Sequence, residues 1–245
     1  MRGDLEEGNL SMNESHTPTR GSIWLFGVLP PIILNVGAIM LFGAYYALLA
    51  TNPSVVQGIS PAQVQFTAYV FIFLVEWLFT LILIARMARR GVTLPSLLAP
   101  AGGLFAFRWL PAVVIFLFVN GVLAVYVFAA VGIYGAWPRL DGLQAWQQAF
   151  LLLLLPVTAA FCEELIWRGH LIPELEGRRR ARSVAIVLSA VSFATIHGIF
   201  LVDKLIMTFI FGLGTGIYFA RERNLLPLMF SHFVADLWTF GLSVL

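Results

Sequence analysis

The side chains that could do chemistry in this sequence are ionisable residues inside strongly apolar stretches towards the carboxyl-terminal end. Such groups cost about 2.5–3.5 kcal/mol each to place in hydrocarbon on insertion scales, so those found there need partners or a function. They lie in three short segments: FCEELIWRGH with Glu163, Glu164, Arg168 and His170, SFATIHG with His197, and SHFVAD with His232 and Asp236. Their grouping predicts a functional site built within apolar helices.

The two adjacent glutamates are predicted to have different partners. On a helix of about 3.6 residues per turn, Glu164 and Arg168 lie one turn apart on the same face and can form an ion pair, which we interpret as structural. Glu163 points about 100° away from that pair and must find other partners. We expect these partners to be His197, His232 and Asp236.

Hydrolysis of a peptide bond is a reaction that these groups can support. It needs a water molecule activated by a base, and donors for the oxyanion that forms. Desolvation makes a carboxylate more basic, so Glu163 is suited to accept a proton from water, and His197 can hold that water or share its proton. His232 can donate to the oxyanion. Asp236 can orient His232 or, if protonated, donate as well.

A zinc site is the alternative chemistry for the same residues. Glu163, His197 and His232 offer a carboxylate and two imidazoles, and such a set could bind zinc with one position open. The sequence leaves both mechanisms open, but the absence of H-E-x-x-H favours water activated by glutamate, and the absence of G-x-S-x-G argues against a serine nucleophile. The single cysteine, Cys162, excludes an internal disulfide and a cysteine-based zinc site.

The elements that must position these residues are membrane helices. The chain is 60% hydrophobic and 11% charged, whereas a soluble domain is about 45–50% apolar and about 25% charged. Apolar runs of about 20 residues, the length that spans a bilayer, predict seven helices near residues 23–50, 65–87, 110–134, 147–170, 183–201, 204–220 and 225–244. We therefore predict an all-α, polytopic transmembrane helix bundle. In the sixth run, the small residues of FGLGTG indicate a close approach of two helices.

The chain divides into a flexible polar tail (residues 1–21), amino-terminal transmembrane helices (22–146) and catalytic helices (147–245). Ten Lys and Arg residues follow the second, fourth and sixth helices, whereas the alternate loops hold only Arg139 and Lys204. This asymmetry predicts a multi-pass protein of the cell membrane with a cytoplasmic amino terminus, and we expect the site to open towards the cytoplasmic half. The expected partners are membrane lipid and a peptide or membrane-protein substrate. The one basic run is a short loop, so a nucleic-acid partner has no support.

Three short motifs resemble those of the CPBP family of intramembrane proteases, which includes type II CAAX prenyl endopeptidases and bacteriocin-processing and immunity proteins. The resemblance covers approximately residues 147–245. The motifs are E-E-x-x-x-R at Glu163, Glu164 and Arg168, F-x-x-x-H at Phe193 and His197, and H-x-x-x-D at His232 and Asp236.

The resemblance implies that Glu163 and His197 activate water and that His232 and Asp236 stabilise the oxyanion. Family members are often labelled metalloproteases, which keeps zinc among the expected cofactors. The prenyl endopeptidases carry Asn where this chain has Asp236, and this difference weighs against a prenylated substrate.

The sequence thus predicts an intramembrane endopeptidase, and two other functions stay open. One is a non-catalytic membrane scaffold or bacteriocin-immunity protein of the same fold. The other is a transporter or proton relay through Glu76, Glu163 and Asp236, although no inverted repeats are visible. We predict a structural hydrogen bond for Glu76, which lies in the middle of the second helix.

Overall fold

The computed structural model describes residues 20–98, 108–178 and 180–245, and these residues form seven long helices and no strand. The prediction of an all-α bundle of about seven helices is confirmed. Most of the tail predicted for residues 1–21 lies outside the described part of the chain. The helices are α1 (Gly21–Thr51), α2 (Pro61–Ala88), α3 (Trp109–Tyr134), α4 (Ala145–Glu176), α5 (Arg182–Ile196), α6 (Val202–Glu222) and α7 (Leu226–Val244).

Five of the seven helices in the described residues, α1 to α4 and α6, are long and apolar enough to cross a membrane. The chain is therefore a multi-pass membrane protein. Helix α7 is outside that set because His232 and Asp236 interrupt its apolar sequence. Helix α5 has only 15 residues, so the predicted run 183–201 is too long. The chain turns at Gly198, where φ is +108°, a backbone conformation that suits glycine.

Proline accounts for three departures from regular α-helix. Segments of π-helix occupy Trp24–Val28 in α1, and Phe150–Leu154 and Glu164–Leu171 in α4. Each segment ends two residues before a proline, at Pro30, Pro156 and Pro173 respectively. Proline has no N–H to donate to the preceding turn, and a wider turn accommodates the missing bond. The third π segment contains the E-E-x-x-x-R motif, and π turns are frequent at functional sites.

Glycine allows α5 and α6 to pack closely. A Cβ atom at Gly212 would lie 3.0 Å from the Cα of Ala190, and one at Gly216 would lie 2.9 Å from a methyl group of Ile186. The third glycine, Gly214, faces the ring of Phe118 in α3. The prediction that FGLGTG permits close helix packing is confirmed. This contact holds α5, which ends just before His197, against the rest of the bundle.

Candidate active site

The centre of the candidate site is His232, which α7 places against the two glutamates of α4. Its Nδ1–H donates to Oε1 of Glu164 at 3.0 Å. Its Nε2 lies 3.7 Å from Oε2 of Glu163 and 3.6 Å from Oδ2 of Asp236. These distances exceed a direct N–H···O hydrogen bond. One ring nitrogen is therefore fixed by Glu164, and the other faces two carboxyl groups.

Burial makes these contacts energetically important. Glu163 and His232 are each 4% exposed and Glu164 is 0% exposed. Glu163 lies about 20 Å before the end of α4 at about 1.5 Å per residue, which is close to the middle of that helix. Acidic groups so far from water need specific partners, and Oε2 of Glu163 has no hydrogen bond within the described part of the chain.

Arg168 holds Glu164 in place and links three helices. Its guanidinium lies 3.2 Å from Oε1 of Glu164 and donates to Oγ1 of Thr215 in α6 at 2.6 Å. The guanidinium carbon also lies 4.1 Å from the ring centroid of Phe193 in α5. Since Arg168 is 1% exposed, the ion pair is fully buried. Glu164 therefore has two partners, Arg168 and His232, of which the helix periodicity indicated only the first.

Glu76 of α2 adds a third carboxyl group from outside the three motifs. It is 3% exposed, and neither of its carboxyl oxygens has a hydrogen bond in the described part of the chain. Its carboxyl group lies near that of Glu163 and interacts with it electrostatically. Glu76 is therefore a candidate member of the site, which its sequence neighbours did not indicate. The sequence signal that could have placed Glu76 in the site is its position as an acidic residue in the middle of an apolar helix.

His197 lies in the turn that follows α5, at the edge of this cluster. Its Nδ1–H donates to the carbonyl oxygen of Phe193 at 3.1 Å, and its ring centroid is 4.8 Å from that of Phe193. In a neutral ring this bond leaves Nε2 as the nitrogen with a lone pair. Among the described residues, no hydrogen bond or ion pair joins His197 to Glu163. The expected partners of Glu163 are thus brought together only in part: His232 lies 3.7 Å from it, and Asp236 lies 3.6 Å from the same nitrogen of His232.

The zinc prediction can be tested against this donor set. Zinc needs three or four ligand atoms that converge on one point at about 2.0–2.3 Å from the metal. No group of three His, Cys, Asp or Glu side chains in the described ranges has a geometry that could hold a metal ion. Zinc therefore stays a prediction, and no step below involves a metal.

Comparison with known proteins concerns the part of the chain from α4 to α7. The family model described as Rce1-like, type II CAAX prenyl endopeptidase Rce1-like, matches residues 145–238. No curated protein and no solved structure matches the chain. The matched range begins at the start of α4, ends within α7 and contains all three motifs. This match supports the family predicted from the motifs: residues 145–238 are similar to type II CAAX prenyl endopeptidases.

Proposed function

We propose that this protein is an intramembrane endopeptidase that hydrolyses peptide bonds with a water molecule activated by Glu163. The observation that carries the proposal is the arrangement around His232. Its Nε2 lies 3.7 Å from Glu163 and 3.6 Å from Asp236, deep inside the bundle. A base, a proton donor and a group that orients the donor therefore lie side by side where water would be enclosed.

Each group has a distinct role in the proposed reaction. Glu163 accepts a proton from water as the water attacks the scissile carbonyl carbon, and its buried position makes it a stronger base than an exposed carboxylate. His232 acts as an imidazolium, protonated on both ring nitrogens among Glu163, Glu164 and Asp236: its Nδ1–H donates to Glu164 and its Nε2–H donates to the oxyanion. Asp236 keeps the imidazole turned towards the oxyanion. The proton on Glu163 then passes to the leaving amine.

His197 would act on the other side of the attacking water. Its Nδ1–H bond to Phe193 leaves Nε2 free to accept a hydrogen bond. We propose that a water molecule bridges His197 and Glu163, which no direct hydrogen bond joins in the described part of the chain. Substrate binding is expected to tighten this arrangement, since catalytic hydrogen bonds are often long in the free enzyme.

The test is cleavage of peptides and membrane-protein fragments by purified protein in proteoliposomes. Glu163→Gln keeps the size of the side chain and removes its basicity, so we expect a loss of about 10²–10⁴-fold in kcat. Asp141→Asn is the matched control, because the Asp141 side chain is 78% exposed and pairs only with Arg139 across the surface. Cleavage that survives unchanged in both Glu163→Gln and His197→Ala would remove the catalytic assignment and favour a scaffold or immunity protein.

The substrate is proposed to be a membrane-anchored or membrane-embedded polypeptide. The family match points to a CAAX sequence as one substrate, whereas Asp236 departs from the Asn of the prenyl endopeptidases. The assay should therefore compare a prenylated CAAX peptide with the same peptide lacking the prenyl group. Equal cleavage of the two would show that the lipid is not recognised.

Orientation in the cell membrane is proposed from the arginines. Arg223 lies 2.6 Å and Arg182 lies 3.3 Å from Glu176, and Arg108 lies 3.5 Å from Glu222. These pairs join the ends of α4 and α6 to the starts of α5 and α3 at one end of the bundle, which we assign to the cytoplasm together with the amino terminus. In a variant without Cys162, a cysteine at Arg180 should resist an impermeant thiol reagent in intact cells, and one at Asp141 should react. The reverse pattern would invert the topology.

The side from which substrate reaches the site is a separate question. We proposed from the sequence an opening towards the cytoplasmic half, but His197 lies at the end of α5 opposite Arg182. Cysteines at Ile199 and at Leu226 would report on the two sides, and substrate should protect the side through which it passes.

A further inference from the structure

The turn that carries His197 begins where α5 ends. Helix α5 stops at Ile196, His197 has φ −84° and ψ 2°, and Gly198 has φ +108°. The last carbonyl groups of a helix have no partner within it and must be satisfied from elsewhere. Among the described residues, the ring of His197 has one hydrogen bond, to Phe193 of the preceding helix, and it also contacts the ring of Phe193. The position of this ring therefore depends on what holds the turn.

A single side chain of α1 holds the turn on both sides of His197. The Nδ2 group of Asn35 donates to the carbonyl oxygen of Thr195 at 2.7 Å. The backbone N–H of Ile199 donates to Oδ1 of Asn35 at 3.2 Å. Thr195 and Ile199 lie two residues before and two residues after His197. The second hydrogen of Nδ2 donates to the carbonyl oxygen of Pro31 at 2.8 Å, which fixes the rotamer of the amide.

The chemistry of this contact is specific to asparagine. It needs two donors and one acceptor on one short side chain, and a carboxamide provides them. Aspartate has the same size but would place an acceptor against the carbonyl oxygen of Thr195. Leucine would fill similar space and would leave the Thr195 carbonyl and the Ile199 N–H without a partner. The contact at the Thr195 carbonyl is part-buried, and a part-buried backbone group left without a partner is costly, so the turn would rearrange.

From this geometry we infer that Asn35 is a positioning residue that sets the place of His197 relative to Glu163. The inference rests on the proposed peptidase function for its effect on activity. In the described part of the chain, no hydrogen bond joins Asn35 to His197 or to another candidate catalytic side chain, so Asn35 acts through the backbone of the turn. A displacement of about 1 Å in a catalytic group can reduce a rate about 100-fold, so the loss of this contact should be visible in kcat.

A second contact between α1 and α5 supplies the matched control. The hydroxyl of Ser192 donates to the carbonyl oxygen of Gly27 at 2.5 Å. Ser192→Ala removes this bond, one turn before Thr195, together with the bond that Ser192 accepts from Nε1–H of Trp167 at 2.9 Å, and it removes no contact of Asn35. A general loosening of α1 from α5 would affect both sites of contact. Loss of positioning would affect only the Asn35 variants.

The experiment measures amide hydrogen exchange at residues 195–201 and steady-state kinetics in Asn35→Asp, Asn35→Leu and Ser192→Ala. We expect faster exchange at Ile199 and a fall in kcat of about tenfold or more in both Asn35 variants, with KM within about twofold of the parent. Ser192→Ala should keep the parental kcat and the parental exchange at Ile199. Asn35→Asp keeps the size of the side chain and changes its hydrogen bonding. If Asn35 only filled space, this variant should behave like the parent.

Two results would overturn the inference: unchanged exchange at Ile199 in both Asn35 variants, or a parental kcat in both. Exchange is measured whether or not the parent cleaves a substrate. An inactive parent with faster exchange in the Asn35 variants would defeat the proposed function and leave the positioning of the turn supported. An active parent whose Asn35 variants keep parental exchange and kcat would support the proposed function and refute the positioning role of Asn35.

Discussion

Removing the buried guanidinium of Arg168 should destabilise the protein more than any surface charge change. In Arg168→Met, the Glu164 carboxylate keeps only His232 as a partner in a site that is 0% exposed. Removing one partner of a buried ion pair typically costs about 3–5 kcal/mol. The contacts with Thr215 and Phe193 disappear in the same step, but contributions from touching groups do not add. We therefore take 3–5 kcal/mol, again as an approximate range, for the whole substitution.

Thermal unfolding in detergent converts this free energy into a measurable shift. In chains of about 150–250 residues, 1 kcal/mol changes Tm by about 2–4 °C, so Arg168→Met should lower Tm by roughly 6–20 °C. Arg139→Met is the surface control. Arg139 lies 3.4 Å from Asp141, but the two side chains are 49% and 78% exposed, and such a pair contributes about 0–1 kcal/mol.

A double variant tests the reason for the loss. Combining Arg168→Met with Glu164→Gln removes both charges and keeps an oxygen that can accept from His232. The double variant should recover about half or more of the lost stability, because removing both members of a buried pair is often nearly neutral. A parental Tm in Arg168→Met, or a double variant no more stable than the single one, would refute the role assigned to this ion pair.

Three further predictions concern packing, the final motif and metal. Gly212→Leu should lower the free energy of unfolding by about 1–3 kcal/mol because its Cβ meets the backbone of Ala190 at 3.0 Å, whereas Gly132→Leu, with nothing within 4 Å of its Cβ, should unfold like the parent. Asp236→Asn should keep kcat/KM within about tenfold, because asparagine can still orient His232. Asp236→Ala should lower kcat/KM about 100-fold. Equal activity of the two variants would contradict the role of Asp236 in orienting His232. Dialysis against a chelator should change cleavage less than about twofold, and activity that is lost and then restored by zinc would contradict the mechanism without metal.

Much of the fold follows from the order of residues alone. The predicted apolar runs correspond to the seven helices because backbone groups in hydrocarbon must bond within a helix, so each long apolar run has one available structure. The error at α5 has a local cause. Apolarity continues past His197 to Leu201, but Gly198 adopts a positive φ and ends the helix, and a hydropathy pattern carries no information about that turn.

The sequence predicted which residues form the candidate site, but the structure pairs them differently from the prediction. Helix periodicity indicated the pair of Glu164 and Arg168, since both lie on one helix. It could not indicate that His232 donates to Glu164 and faces Glu163 only at 3.7 Å. That choice depends on the rotation and depth of α7 relative to α4, which many side chains decide together.

The sequence by itself determined the class of this protein, its seven helices, its resemblance to a protease family and the residue types available for chemistry. These properties depend on composition and on spacings within one helix, where geometry is regular. Only the tertiary structure decided that Glu76 meets Glu163, that His197 stands at the edge of the cluster, and that Asn35 holds the turn from α1. These contacts join residues up to 164 positions apart, and packing between helices, rather than any periodic pattern, sets such distances.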